Sequence, residues 1–203
     1  MKTLSWKPAA GLAVLLIALT AGPASAEEPK LLWQIGTPDN DTAEFALARD
    51  GYASYDRDGL FLVGHSNPKR DWPYTQPGPD DAWAGSGRHT FTIFFGLTGA
   101  LPESPQQTLR LLGAKLVVDL VDTHGLNPPP LRIEVNGRAF EEKLPKGGSD
   151  ASIFGDPKRG REHRFTVPLP AGVLRAGLNE IKITTLSGGW MLYDWLGLEV
   201  PAE

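Results

Sequence analysis

The sequence predicts an all-β fold, a β-sandwich of about nine antiparallel strands with one or two short helical turns. Gly (23) and Pro (18) are frequent among the 203 residues, so the chain needs many turns. Apolar residues still make up 41%, which is enough for a packed core and too many for a disordered chain. The apolar segments are short, and several alternate with polar residues as strands do. These features argue against a helix bundle.

The first predicted strands lie in the N-terminal half. The apolar segment 31–35 is bounded by Gly36. Segments 52–55 and 60–63 flank Asp58-Gly59, a dipeptide typical of hairpin turns, and we expect them to pair. Segment 89–97 alternates and then becomes continuously apolar, as a partly buried strand does.

The remaining strands follow in the C-terminal half. Segment 115–121 is rich in β-branched residues and too short for a helix. Segment 131–135 alternates and ends at Asn136-Gly137, the strongest short turn signal. The last three predicted strands are 164–167, 180–185 and 191–200. Short helical turns are expected in 42–49 and 172–176. The loops 64–88 and 141–162 are long enough to be functional or mobile.

Several function classes are excluded by composition and by missing motifs. The chain has no Cys, which excludes disulfides, thiol catalysis and iron–sulfur clusters. A net charge of -4 gives no electrostatic footprint for nucleic acid. The sequence contains no Walker loop, dinucleotide fingerprint or Gly-x-Ser-x-Gly elbow.

The N-terminus has the features of a signal peptide over residues 1–26. Lys2 and Lys7 precede the short apolar run 12–19, and Ala24-Ser25-Ala26 matches a signal-peptidase site. We therefore expect a secreted or periplasmic protein with one domain over 27–203 and no membrane segment after cleavage.

Two groups of motifs resemble known families. The strand that ends at Asn136-Gly137, the pattern Leu-x-x-Gly-x-Asn-x-Ile over 174–181, and the closing strand 192–198 resemble a galactose-binding-like jelly roll. The opening Trp-Gln-Ile-Gly-Thr-Pro-Asp over 33–39 and Lys-Arg-Asp-Trp over 69–72 are similar to the C-terminal domain of rhamnogalacturonan lyases of polysaccharide lyase family 4. That resemblance implies a carbohydrate-binding-like sandwich without the lyase active site.

The loop 67–83 and the start of the last predicted strand hold the candidate binding residues. Aromatic rings stack on the C–H faces of sugars, and charged side chains bind their hydroxyls or carboxylates. The candidates are Lys69, Arg70, Asp71, Trp72, Tyr74, Trp83 and Trp190. The alternative is that the aromatic side chains hold the loop against the sandwich and that Trp190 closes the core. Trp33 and Trp195 are predicted core residues.

Two sets of residues suggest metal ligands. Asp119, Asp122 and His124 resemble a metal or acid–base cluster, although Asp119 and Asp122 should diverge on a strand, so turn and cap roles are favoured. Some jelly-roll sugar modules carry a structural calcium between their first and last strands, and Glu44 and Asp194 occupy comparable places in this sequence. Asp39 and Asp41 could add carboxylates. No other cofactor is expected.

Three functions compete at this point. The first is a non-catalytic module that binds a polysaccharide or oligosaccharide, with pectic or uronate-containing polymers as candidates. The second is a structural or assembly partner of a periplasmic polysaccharide-degrading enzyme. A small polysaccharide lyase is the third, and its candidate residues are Lys69, Arg70, His89 and His124.

Overall fold

The computed structural model describes residues 28–97 and 113–202. The predicted signal peptide lies outside these residues. Ten strands are present in the described chain: β1 Lys30–Gly36, β2 Leu60–Leu62, β3 Thr75–Gln76, β4 Thr90–Leu97, β5 Lys115–Thr123, β6 Pro130–Val135, β7 Arg138–Lys143, β8 His163–Pro168, β9 Gly177–Thr185 and β10 Met191–Val200.

The strands form two sheets that pack face to face. Sheet one has the order β1-β10-β5-β8, with the short β3 also paired to β10. Sheet two has the order β2-β4-β9-β6-β7. Every pairing is antiparallel except that of β2 with β4. The all-β sandwich prediction is therefore confirmed.

The core lies between the sheets and is rich in aromatic side chains. Phe91, Ile93 and Phe95 alternate along β4 and are buried, as are Ile181 and Ile183 on the neighbouring β9. Alternation places successive side chains on opposite faces, so one face of sheet two covers the core. Trp33 on β1 belongs to the same core, as predicted.

Two turns form as their sequences predict, one between β6 and β7 and one at the start of β9. Asn136 (φ 50°) and Gly137 (φ 85°) adopt left-handed conformations in the two-residue turn between β6 and β7. The buried Asn179 amide bonds Arg175 N–H and C=O, the Gly177 carbonyl and the Asn136 amide. The Leu-x-x-Gly-x-Asn-x-Ile pattern is thus a turn held by one side chain.

Other local predictions are wrong. Residues 52–63 form no hairpin, because Gly51–Ser54 is a 3₁₀ turn and β2 pairs in parallel with β4. Segments 42–49 and 172–176 form turns rather than helices. A short helix, α1, covers Pro68–Asp71 instead, with Asn67 as its N-cap. Two further 3₁₀ turns cover Ala82–Ala84 and Pro157–Arg159. None of the predicted strands covers β3 or β7.

The last strand, β10, changes the face of its side chains at a bulge. The pairing with β5 is irregular between Tyr193 and Trp195, so Asp194 is the extra residue. Tyr193 faces the core, whereas Trp195 is buried outside it, on the outer face of sheet one. Trp195 is therefore buried, as predicted, but it lies outside the main core cluster because the bulge shifts the alternation by one residue.

Candidate functional site

Five loops meet at one end of the sandwich, which we call the loop end. Met191 pairs with Thr123, Thr90 with Thr184, and Leu131 with Thr185, so the strand ends that these pairs mark lie together. Gln76 joins the two sheets there, since its side-chain amide donates to His89 and Ile183 carbonyls. The loops at this end are 50–59, 77–89, 124–129, 144–162 and 186–190.

An aromatic cluster of Tyr52, Trp83 and Phe154 lies at the loop end. The ring centroids of Tyr52 and Trp83 are 5.2 Å apart, edge to face, and those of Tyr52 and Phe154 are 5.5 Å apart. Phe154 is 58% exposed, and the other two side chains are half-buried. Three separate loops therefore contribute to one partly exposed apolar surface of the kind on which sugar rings stack.

Trp83 is held in this cluster by Asp81. The indole Nε1 donates to Asp81 Oδ1 at 3.2 Å, and Gly78 N–H donates to Asp81 Oδ2 at 2.8 Å. Burial raises the pKa of Asp81, although these two hydrogen bonds oppose the increase. Trp83 therefore has a fixed orientation.

A polar network beneath the aromatic cluster fixes Tyr55. The ring centroids of Tyr55 and Trp83 are 5.9 Å apart. Asp58 Oδ1 accepts from the Tyr55 hydroxyl at 2.7 Å and lies 2.7 Å from His89 Nδ1, and Oδ2 accepts from Thr90 N–H. Burial favours the protonated form of Asp58, but the bonds from His89, Thr90 and Tyr55 outweigh it and lower its pKa. Burial and the Asp58 carboxylate raise the pKa of Tyr55. This network holds loop 50–59 against β4.

Asp122 organises the loop that carries Phe154. Its carboxylate is fully buried and accepts from Gly148 N–H (2.7 Å), Arg161 N–H (3.1 Å) and the Ser152 hydroxyl (2.7 Å), with a longer contact to Ser149 N–H. The segment is also packed closely: a Cβ at Gly147 would lie 1.6 Å from the Thr123 carbonyl oxygen. One buried carboxylate thus fixes the loop at several points along its length.

The structure divides the predicted binding residues into buried and exposed groups. Trp72 and Tyr74 are 0% exposed, and Trp190 is 4% exposed. Trp72 packs edge-on against Phe91 at 5.0 Å. The Tyr74 hydroxyl donates to the Ile153 carbonyl at 2.6 Å, which joins the two long loops. Their prediction as ligand-stacking residues is wrong, because no ring face is open; the alternative of holding the loop fits them.

The other predicted residues are at or near the surface. Lys69 and Arg70 are exposed on α1, and Arg70 makes a two-point ion pair with its neighbour Asp71. This pair lowers the pKa of Asp71 to about 2. Trp83 is the predicted aromatic residue that belongs to the aromatic cluster.

Tyr52 and Phe154 were missed by sequence reasoning. Phe154 precedes Gly155 in the long loop 141–162, and Tyr52 follows Gly51 in a segment that resembled a strand. An aromatic side chain next to Gly in a long loop was the available signal. Nothing local indicated that the two rings meet.

Trp190 closes the core beside His124. Their ring centroids are 5.7 Å apart, and His124 N–H donates to the Trp190 carbonyl. His124 Nδ1 accepts from Asn127 N–H at 3.0 Å. Asp119, by contrast, faces Arg164. The three residues Asp119, Asp122 and His124 therefore have separate local roles, as their spacing favoured.

The predicted calcium ligands Glu44 and Asp194 bond backbone groups. Glu44 Oε1 accepts from Thr37 N–H at 2.6 Å, and Asp194 Oδ1 from Asp41 N–H at 3.2 Å. Burial raises the pKa of both, that of Asp194 to about 7, with Asp119 and Asp39 adding to the effect at Asp194. Across 28–97 and 113–202, no three His, Asp or Glu side chains are grouped to hold a metal ion. Calcium stays a prediction.

The family is decided by comparison with known proteins. Residues 31–198 match the family described as "CBM-like: Polysaccharide lyase family 4, domain III". The chain belongs to this family. The resemblance inferred from Trp33–Asp39 and from Lys69–Trp72 is thereby confirmed.

A curated relative of this domain III family member is a rhamnogalacturonate lyase from Dickeya dadantii. It is 31% identical over 189 residues, which cover 89% of the chain and 30% of the relative. The chain thus spans less than a third of that enzyme's length. It is a carbohydrate-binding-module-like domain related to part of the lyase.

Solved structures with detectable similarity include family 35 carbohydrate-binding modules. One from an environmental isolate is 13% identical, covers 57% of this chain and 70% of its own, and has a TM-score of 0.32. The module from Cellvibrio japonicus Abf62 is 12% identical, covers 70% of this chain and 79% of its own, and has a TM-score of 0.34. In the described part of the domain III chain, no helix is long and apolar enough to cross a membrane.

Proposed function

We propose that this domain III chain is a secreted, non-catalytic module that binds polysaccharide at the loop end through Phe154, Tyr52 and Trp83. The observation that carries the proposal is the 58% exposure of Phe154 above rings that are themselves fixed. A large apolar ring held at the surface offers a ligand a platform at little entropic cost. Hydrogen bonds to the carboxylates of Asp81 and Asp122 hold the loops that carry these rings in place.

The charges on the loop that carries Phe154 favour a uronate-containing polymer. The loop 144–162 carries four basic residues and three acidic ones, although the whole chain is acidic. Lys146, Lys158, Arg159 and Arg161 are all exposed. Lys and Arg side chains pair with carboxylates, and exposed pairs weaken as salt rises. Binding through this segment should therefore be salt-sensitive.

Affinity electrophoresis in gels that contain polygalacturonate, rhamnogalacturonan or neutral galactan tests the proposal. Phe154→Ala should reduce the retardation of the chain at least tenfold in polymer concentration. Leu178→Ala is the matched control, because Leu178 is 59% exposed at the opposite end of the sandwich. Retardation by the uronate polymers should fall as NaCl increases.

Two outcomes would contradict this function. Equal retardation of wild type and Phe154→Ala would remove the loop-end site, and no retardation by any of the polymers would remove the binding function. Release of unsaturated uronate products would instead support the lyase alternative.

Secretion is a separate part of the proposal. Expression of the full chain should yield a mature protein that begins at Glu27, as N-terminal sequencing of the periplasmic or culture fraction would show. Retention of Met1 in the exported fraction would contradict cleavage after Ala26.

A second candidate function is docking onto a polysaccharide-degrading enzyme, and an apolar strip on the outer face of sheet two favours it. Leu60, Leu62 and Leu178 are exposed there, and the half-buried Phe94 lies between Leu62 and β9. Sedimentation of the chain mixed with the catalytic part of the related lyase tests this function. Complex formation that Leu62→Ser abolishes would support docking, and free components at tens of micromolar would exclude it.

A further inference from the structure

The outer face of sheet one carries a row of three side chains that we call the sheet-face row: Trp195, Asp119 and Arg164. Asp119 on β5 pairs in register with Trp195 on β10 and with Arg164 on β8. The Arg164 guanidinium carbon lies 5.0 Å from the centroid of the Trp195 ring. Arg164 therefore extends across β5 and covers an indole on the next strand.

The Trp195 ring lies flat on the sheet because Gly197 has no side chain. A Cβ at Gly197 would be 2.4 Å from the Trp195 ring. The indole Nε1 donates to Gln34 Oε1 at 3.1 Å, which fixes the ring from the β1 side. One ring face is thus turned to the sheet, and Arg164 lies over the ring from the β8 side.

Arg164 is held loosely for a residue that covers a buried ring. Its Nη1 is 3.5 Å from Asp119 Oδ2 and its Nη2 is 3.8 Å from Glu199 Oε1. Charge-assisted hydrogen bonds are usually 2.7–2.9 Å long, so both contacts are long. The Arg164 side chain is 48% exposed. Among the described residues, no short hydrogen bond of the Arg164 guanidinium would be broken if the side chain moved.

Asp119 supplies an unused acceptor in the same row. Its side chain is 3% exposed, and the buried Oδ1 has no hydrogen-bond partner among the described residues. A buried carboxylate oxygen without a donor is costly, and native structures normally satisfy such atoms. Burial raises the pKa of Asp119, although the charge of Arg164 and a hydrogen bond from Leu120 N–H oppose the increase. A hydroxyl group brought to Oδ1 would satisfy it.

We propose that the sheet-face row is a second saccharide site, selective for neutral sugars, that opens when Arg164 moves off the Trp195 ring. In the open arrangement a pyranose stacks on Trp195, one hydroxyl donates to Asp119 Oδ1, and Arg164 donates to an adjacent hydroxyl. A carboxylate beside an arginine suits a pair of neighbouring hydroxyls, which both donate and accept. This site does not depend on the loop-end site.

The local charges exclude uronates as the preferred ligand here. Glu199 Oε2 pairs with Lys115 at 2.9 Å, Arg164 faces both Asp119 and Glu199, and the charge of Glu162 also acts on Asp119. The carboxylate of a uronate would compete with these acidic side chains for Lys115 and Arg164. The sheet-face row thus differs from the loop 144–162, where basic side chains outnumber acidic ones.

Titration followed by NMR tests the second site. The indole N–H signal of Trp195, assigned with Trp195→Phe, is monitored while cellotetraose, xylotetraose or galactotetraose is added. We expect a saturable shift with at least one of these, in wild type and in Phe154→Ala alike. Asp119→Ala should weaken the affinity at least tenfold, whereas Thr166→Ala, an exposed control on β8, should not.

Displacement of Arg164 has its own readout. Arg164→Ala should increase the quenching of tryptophan fluorescence by acrylamide, because it uncovers Trp195. This measurement tests the site even if Asp119→Ala does not fold. The proposal is overturned if none of the three sugars shifts the Trp195 signal, if Phe154→Ala removes the shift, or if Arg164→Ala leaves quenching unchanged. Polymer retardation that depends on Phe154 reports the loop-end function separately.

Discussion

Replacement of Asp122 by Asn tests whether one buried carboxylate holds the loop that presents Phe154. The substitution keeps the size of the side chain and one oxygen acceptor. That oxygen can still accept from Gly148 and Arg161 N–H, while the new NH₂ group faces the Ser152 hydroxyl and Ser149 N–H. The Ser152 hydroxyl retains the Ser149 carbonyl as an acceptor at 2.8 Å.

The expected cost follows from these contacts. A hydrogen bond to a charged group contributes about 1.5–3 kcal/mol, and a buried donor without an acceptor costs about 1–3 kcal/mol. Asp122→Asn loses one short charged bond and weakens two others, so we expect a loss of about 2–3 kcal/mol. For a chain of this size that corresponds to a Tm decrease of roughly 4–12 °C. Asp122→Ala, which removes every acceptor, should lose about 4–5 kcal/mol.

Urea unfolding monitored by circular dichroism measures the stability loss. Asp150→Asn is the control, because Asp150 is exposed on the same loop and should change stability by less than about 0.5 kcal/mol. Below its Tm, Asp122→Asn should also bind polysaccharide more weakly than wild type, since Phe154 loses its support. If Asp122→Asn unfolds with the wild-type midpoint, the Asp122 carboxylate does not hold the loop.

Four further predictions concern the core, a turn, a buried acid and calcium binding. Trp72→Ala should lose about 3–5 kcal/mol of stability in urea unfolding, because it empties a buried aromatic site. The folded fraction should bind polysaccharide with unchanged affinity, and weaker binding without a loss of stability would contradict the burial of Trp72. Asn179→Ala should lose about 2–4 kcal/mol through unsatisfied backbone groups at the 175–177 turn, and a loss below about 1 kcal/mol would contradict its role. Burial raises the pKa of Asp194 from its ordinary 3.8 to about 7, so the native state binds a proton more tightly than the unfolded state does. Stability should therefore fall by about 2–4 kcal/mol as the pH rises from about 4 to about 7. Asp194→Asn should flatten that pH profile of Tm. At pH 8, calcium should raise the wild-type Tm, and an unchanged Tm with calcium or chelator removes the predicted calcium site.

The parts of the fold that local sequence determines could be predicted. Asn136-Gly137 fixes its turn because few other dipeptides tolerate two left-handed residues. Asn179 fixes its turn because its partners lie within four residues or on the adjacent turn. In both places the stabilising contacts are encoded next to the residue that needs them.

The predicted hairpin at Asp58-Gly59 is wrong because the stabilising contacts there are not local. The Asp58 carboxylate binds His89 and Thr90 on β4, and β2 then pairs with β4 in parallel. These partners are distant in sequence, so a local turn signal could not reveal them. The same limit applies to the aromatic residues of the loop. The position of Trp72 in that loop predicts a ligand contact, but Phe91 of β4 and Tyr193 of β10 bury its ring.

The closing strand shows how one residue can give two faces of a sheet different functions. Without the bulge at Asp194, alternation would place Tyr193 and Trp195 on the same side of sheet one. With it, the Tyr193 hydroxyl bonds Gln76 at 2.5 Å inside the core, and Trp195 lies outside beneath Arg164. The carboxylate of the extra residue accepts from Asp41 N–H and so joins the bulge to the chain that follows β1. Core packing on one side of β10 and the sheet-face row on the other therefore depend on the same inserted residue. Deletion of Asp194 should disturb both.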